Sequence, residues 1–314
     1  MTDEPQGHPL DGVWVTLAPG HDLCRAQVAE AERVGVRGLI AAHADLRGDA
    51  LTGRGAEDSG ATSGTEREAE HAAPPGLESL TLPLRVDLDP VQLRTRGPAL
   101  LTDLHALGPD LVGLPLGSTG PTELHSCLRL AEAMGIELVL LLHDPLQAPL
   151  AIALAHQSEQ VVGFSVSRHD EDAFELLAGR EDLGILTAAP EFASAFRGGA
   201  GGLEGFPASL SPGAAVWLMG LCHEDVEAAL VLERRLLRFM EGHLRPALRR
   251  LEASDAAGPP GVLERTLHAA VGGWAPSGLG GGTHHPAQLG GGVDPLPLRS
   301  RLLHEIPELE RFIN

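Results

Sequence analysis

The side chains of this sequence best placed to bind a metal or move a proton are Thr16, His43, His143, Asp144, Ser165, Ser167, His169, Thr187 and Glu204. Each stands at the carboxyl end of a predicted strand, where barrels of alternating strands and helices build their sites. Two readings of the set stay open. His43, His143 and His169 with Asp144 or Glu204 form a metal site or an acid–base set, or they are solvated loop residues in a chain with 15 histidines. The histidines sit on separate loops without the i,i+4 spacing of a helical metal motif, so no metal is expected. Ser165 with His143 and Asp144 is conceivable as a nucleophilic set. However, adjacent His and Asp side chains on an extended segment point apart.

Composition excludes more than it suggests. All 23 basic residues are Arg, so there is no Lys, and Tyr is absent. No reaction that needs a lysine amine or a tyrosine phenol can run on this chain's own side chains. The missing Lys and the bias to Ala, Gly, Arg and Leu fit a GC-rich genome. The net charge of −20 argues against nucleic acid or an anionic membrane as partner. Cys24, Cys127 and Cys222 are odd in number and far apart; they read as reduced thiols of a cytoplasmic protein. Residues 1–9 lack the apolar core of a signal peptide. The apolar stretch Ile136 to Leu142 is too short to span a bilayer.

The elements that must position these residues alternate regularly. Strands are predicted at Val13–Thr16, Arg37–Ala42, Thr81–Leu88, Asp110–Pro115, Glu137–Leu142, Gln160–Val166, Gly184–Thr187 and Gly202–Gly205. Helical patterns follow them at His21–Val34, Pro90–Leu107, Pro121–Met134, Leu146–His156, Asp170–Ala178, Glu191–Phe196 and Leu210–Leu221. The second helix should lie in residues 45–76, a Gly/Ser/Thr/Glu-rich stretch that reads as a low-complexity insert. Eight strand–helix units predict a (β/α)8 barrel over residues 10–222. Residues 223–314 read as a C-terminal helical region, with helices at Glu224–Leu251, Val262–Val271 and Arg299–Phe312 and a Gly-rich loop at 272–297. Gly117-Ser118-Thr119-Gly120 reads as a loop-to-helix cap, His284-His285 as part of an exposed loop, and Arg245, Arg249 and Arg250 as a solvated or interface helix face.

Several segments, in order, resemble the dihydrodipicolinate synthase / N-acetylneuraminate lyase family of class I aldolases. Leu10-Asp11-Gly12-Val13-Trp14-Val15-Thr16 is similar to the family's first strand, and Leu107 through Pro115 to its fourth. Leu138–Pro145 resembles the fifth strand, Val161-Val162-Gly163-Phe164-Ser165 the sixth, and Gly199 through Pro212 the segment around the eighth. The resemblance covers most of residues 10–250 and implies the same barrel.

It also implies what has changed. The family's Schiff-base lysine, at the end of the sixth strand, corresponds to Ser165. Its proton-shuttling tyrosine corresponds to Leu142. The threonines that hold the substrate carboxylate fall near Ala42-His43-Ala44-Asp45-Leu46, and the usual Asn after strand eight at Ser209. A hydroxyl cannot form an iminium ion. The resemblance therefore implies a degenerate member without Schiff-base aldolase activity: a non-catalytic subunit or small-acid binder. Such a protein would form a homo-oligomer or pair with an active paralogue, and no cofactor is expected. The alternative is a lyase or hydrolase that acts on a small 2-keto or carboxylic acid with other groups at the same mouth. Leu142 and Phe206 are the expected plugs if the mouth is filled.

Overall fold

The computed structural model describes residues 8–17, 21–42, 82–105, 108–117, 119–253, 262–273 and 293–313. His43, residues 45–76 and His284-His285 lie outside them.

Eight parallel strands close into a barrel in sequence order. They are β1 (Gly12–Thr16), β2 (Gly38–Ala42), β3 (Leu84–Asp87), β4 (Leu111–Pro115), β5 (Glu137–Leu142), β6 (Val161–Val166), β7 (Gly184–Thr187) and β8 (Gly202–Leu203). Every strand is covered on both sides, as parallel sheets require. Alternation along each strand therefore sorts residues between two apolar layers rather than between core and water. Leu138, Leu140 and Leu142 of β5 point outward into the core beneath the helices, with Val86, Phe164 and Val166. Val139 and Leu141 point into the barrel, with Leu10, Trp14, Ile40, Leu111 and Leu186. Cys127 and Cys222 are buried and unbridged; burial pushes their thiols up to about 11 and about 12.

The helices start where polar caps and prolines direct. Asp89 caps Pro90–Arg96 by accepting from the N–H groups of Val91 and Gln92. The helix expected over Pro90–Leu107 is broken at Gly97-Pro98 and resumes at Ala99–His105, because proline supplies no N–H and suits a helix start. The helix expected over Leu210–Leu221 runs from Pro212 to Glu224, and Ser211-Pro212 separates it from a further short helix, Phe206–Leu210, that precedes it. Asp225 caps the next helix, Val226–Phe239. That helix continues through a π-turn at Met240–Leu244 into Arg245–Glu252. The last helices are Val262–Gly272 and Pro295–Glu305, the latter beginning and ending earlier than the periodicity predicts. Among the described residues no helix is long and apolar enough to cross a membrane.

Candidate active site at the barrel mouth

Within an apolar barrel one strand carries charges inward. In Leu84-Arg85-Val86-Asp87 the aliphatic residues face the helices, so Arg85 and Asp87 share the inner face. Arg85 is 1% exposed. Its Nε donates to Asp87 Oδ1 at 2.8 Å and its Nη2 to Asp87 Oδ2 at 3.1 Å. Its Nη1 donates to Glu204 Oε2 at 2.6 Å, across the barrel from just past β8. The Ser165 hydroxyl, inward on β6, donates to Glu204 Oε1 at 2.5 Å. Gly113 faces Asp87 in the register of β3 and β4. A Cβ there would lie 2.0 Å from Asp87 Oδ1, so the glycine makes room for the carboxylate.

Burial opposes the charge on Arg85, but Asp87 and Glu204 outweigh it and hold the guanidinium's pKa above its usual value. Burial also dominates at Asp87 and raises its carboxyl, against the pull of Arg85 and with the push of Glu204. Two carboxylates against one guanidinium leave the network one negative charge in excess when both are ionised. The raised Asp87 carboxyl answers that excess by holding a proton more readily.

Above this floor lies a cavity of about 640 Å3. The strand ends contribute Thr16, Asp87, His143, Ser167 and Glu204. The helix after β8 contributes Phe206 and Ser209, and the C-terminal helices roof the space with Met240, Leu244, Arg249 and His268, among others. The π-turn aims the roof: Met240, Leu244, Arg245, Leu248, Arg249 and Glu252 all line the cavity. π-turns recur at functional sites in this way. Burial lowers His268 to about 4 and keeps its ring neutral.

The predicted residues divide. Thr16, His143, Ser167 and Glu204 line the mouth, and Ser165 lies beneath it, bonded to Glu204. Thr187 does not reach it: the side chain is fully buried on the outer face of β7, and its Oγ1 accepts from Ala189 N. Asp144 turns away to cap a short helical turn, accepting from Leu146 N. Leu142 is not a plug, since alternation sends its side chain outward and that of Leu141 inward. The mouth is open, and of the two expected plugs only Phe206 lines it. His143 stands 3.3 Å from Ser167, and Ser165 is engaged by Glu204, so the set Ser165–His143–Asp144 does not assemble. Arg245 and Arg249 border the cavity, and Arg245 pairs with Glu241 on the exposed side of the helix. Among the described residues no three His, Cys, Asp or Glu side chains are grouped to hold a metal.

Arg85, Asp87 and His268 were not among the candidates. A signal for the first two existed: in a parallel barrel strand both faces are covered, so the alternation Leu-Arg-Val-Asp places two charges inside. His268 had none, for its partner Ser209 lies 59 residues away.

No family model matches the sequence, and neither does any curated protein. Solved structures do match. A candidate dihydrodipicolinate synthetase from Pseudomonas aeruginosa is similar with TM-score 0.57 and 18% identity, over 94% of this chain and 99% of that one. N-acetylneuraminate lyase from Fusobacterium nucleatum is similar with TM-score 0.57 and 12% identity, over 98% and 100%. The chain has the fold of the dihydrodipicolinate synthases and N-acetylneuraminate lyases. A catalytic-lysine mutant of the Ruminococcus gnavus sialic acid aldolase is similar with TM-score 0.60 and 12% identity, over 96% and 97%. The likeness runs over nearly the whole of each chain, so the roofing helices belong to the shared fold along with the barrel.

Proposed function

We propose that this chain is a divergent member of the dihydrodipicolinate synthase / N-acetylneuraminate lyase family that has given up Schiff-base aldolase chemistry. It is read as a cytoplasmic protein that holds a small carboxylic acid non-covalently, as a homo-oligomer or as a subunit beside a lysine-bearing paralogue. One observation carries the reading. Ser165, on the inner face of β6 where the resemblance puts the Schiff-base lysine, gives its hydroxyl to Glu204 in a closed ion network with Arg85. A hydroxyl cannot form the iminium electron sink, and no lysine exists elsewhere in the chain to supply it.

The test is reductive trapping. The pure full-length chain is treated with pyruvate and borohydride, and the intact mass is measured. No mass increment is expected; a covalent pyruvate adduct on the chain overturns the reading. A hydrolase or lyase that works with other groups at the same mouth is the second reading, and the open cavity of about 640 Å3 favours it over a plugged barrel.

A further inference from the structure

Two Ser–His pairs face the mouth cavity. Ser167 Oγ and His143 Nδ1 are 3.3 Å apart on an exposed rim, at the outer limit of a hydrogen bond. Ser209 Oγ and His268 Nδ1 are 2.9 Å apart, and these two residues are only 8% and 6% exposed. The second pair is fixed from both sides. Ser209 belongs to the helical turn Phe206–Leu210, and the His268 ring packs edge-on against Phe206, with centroids 4.9 Å apart and planes at 76°. The ion network of the floor uses neither residue. Burial leaves the imidazole neutral at physiological pH, so its ring nitrogen is free to accept the hydroxyl's hydrogen bond.

We infer that Ser209 and His268 form a nucleophile–base pair for acyl transfer, acting on a short-chain ester or thioester. This rests on the second reading of the mouth, as an open site worked by groups other than a lysine. Ser209 Oγ attacks the acyl carbon while its proton passes to His268 Nδ1. The tetrahedral intermediate collapses, the bond from the acyl carbon to the leaving oxygen or sulfur breaks, and His268 returns the proton to the departing alcohol or thiol. Water then attacks the acyl-serine by the same route, releases the acid and restores Ser209. The tautomer with its lone pair on Nδ1 is required. The hydroxyl's other acceptor, the Phe206 carbonyl oxygen at 3.0 Å, is the resting alternative, and rotation about Cβ–Oγ exchanges the two. The carboxylates of the floor are already paired with Arg85, and Arg249 is among the cations that line the roof.

The test is active-site labelling of the full-length chain with a fluorophosphonate, the adduct being located by peptide mass spectrometry. One adduct at Ser209 is expected, absent from Ser209→Ala. It should form roughly 100-fold more slowly in His268→Gln, the loss of a general base. No adduct on Ser209 of the unaltered chain overturns the inference, whatever the variants do. An unchanged labelling rate in His268→Gln, or in His268→Asn should the first fail to fold by circular dichroism, also overturns it. Borohydride trapping reads amine chemistry and the fluorophosphonate reads the serine, so each idea can fail without the other.

Discussion

At its amino-terminal end the barrel is filled by shape, and at its carboxyl end by charge. Leu10, Trp14, Leu111 and Leu186 close the lower interior. Glycines there take up the bulk of their neighbours: a Cβ on Gly38 would lie 2.5 Å from the Trp14 ring, and one on Gly163 would lie 2.4 Å from Leu10 and 2.3 Å from the Gly184 carbonyl oxygen. The upper interior holds Arg85, Asp87, Ser165 and Glu204, tied by directional bonds of 2.5–3.1 Å. Apolar packing tolerates exchange of one aliphatic residue for another of similar volume. A buried ion network tolerates no loss of one partner, because the remainder is left charged and unsolvated. Stability at the lower end is thus shared among many contacts, while at the upper end it hangs on a single guanidinium.

The largest expected effect follows from that contrast. Arg85→Met leaves Asp87 and Glu204 facing each other without a cation and should cost about 3–5 kcal/mol in urea denaturation. Adding Asp87→Asn and Glu204→Gln should recover much of the loss. A cost below about 1 kcal/mol would mean that the upper end behaves as a solvated surface, not as an interior.

The next effect is pH-dependent. His268 takes up a proton near pH 4 in the folded protein and near about 6.5 when unfolded. Between those values the unfolded chain binds more protons, so stability falls as pH drops from 6.5 towards 4, by about 3 kcal/mol for this group. Asp87, whose folded carboxyl is raised, acts in the opposite sense: it costs stability as pH rises above the ordinary carboxyl value. Urea midpoints measured across this range should lose the histidine slope in His268→Gln. An unchanged slope would place His268 in water.

The smallest effect tests the lower end. Gly163→Ala must push against the Gly184 backbone, which has little room to yield, and should cost about 1–3 kcal/mol. A cost near zero in the same urea assay would show this end to be loosely packed, and would erase the difference between the two ends.

The same contrast explains what could be read from sequence. Strand alternation and the Pro, Asp and Gly punctuation were enough to place eight strands, because each signal is local. Ser165 and Glu204 were recognised as inward residues at strand ends. Their bond was not, since it spans 39 residues and depends on closure of the barrel. Arg85 and Glu204 are 119 residues apart. Leu142 fails as a plug for a simpler reason: neighbouring residues on a strand face opposite sides, and Leu142 faces the helices. The cavity's roof was hidden because the periodicity of residues 224–251 reads as one regular helix, and the π-turn within it leaves no composition cue.

That π-turn makes the upper end adjustable independently of the barrel. It holds one residue more than a regular turn. Deletion of a single codon between Met240 and Leu244 would let the helix run straight and rotate everything after it by about 100°. Arg249 and Glu252 would leave the opening, and other side chains would take their places over an unaltered floor. The chemistry offered from above can therefore change by the insertion or deletion of one residue, with no change in the strands beneath.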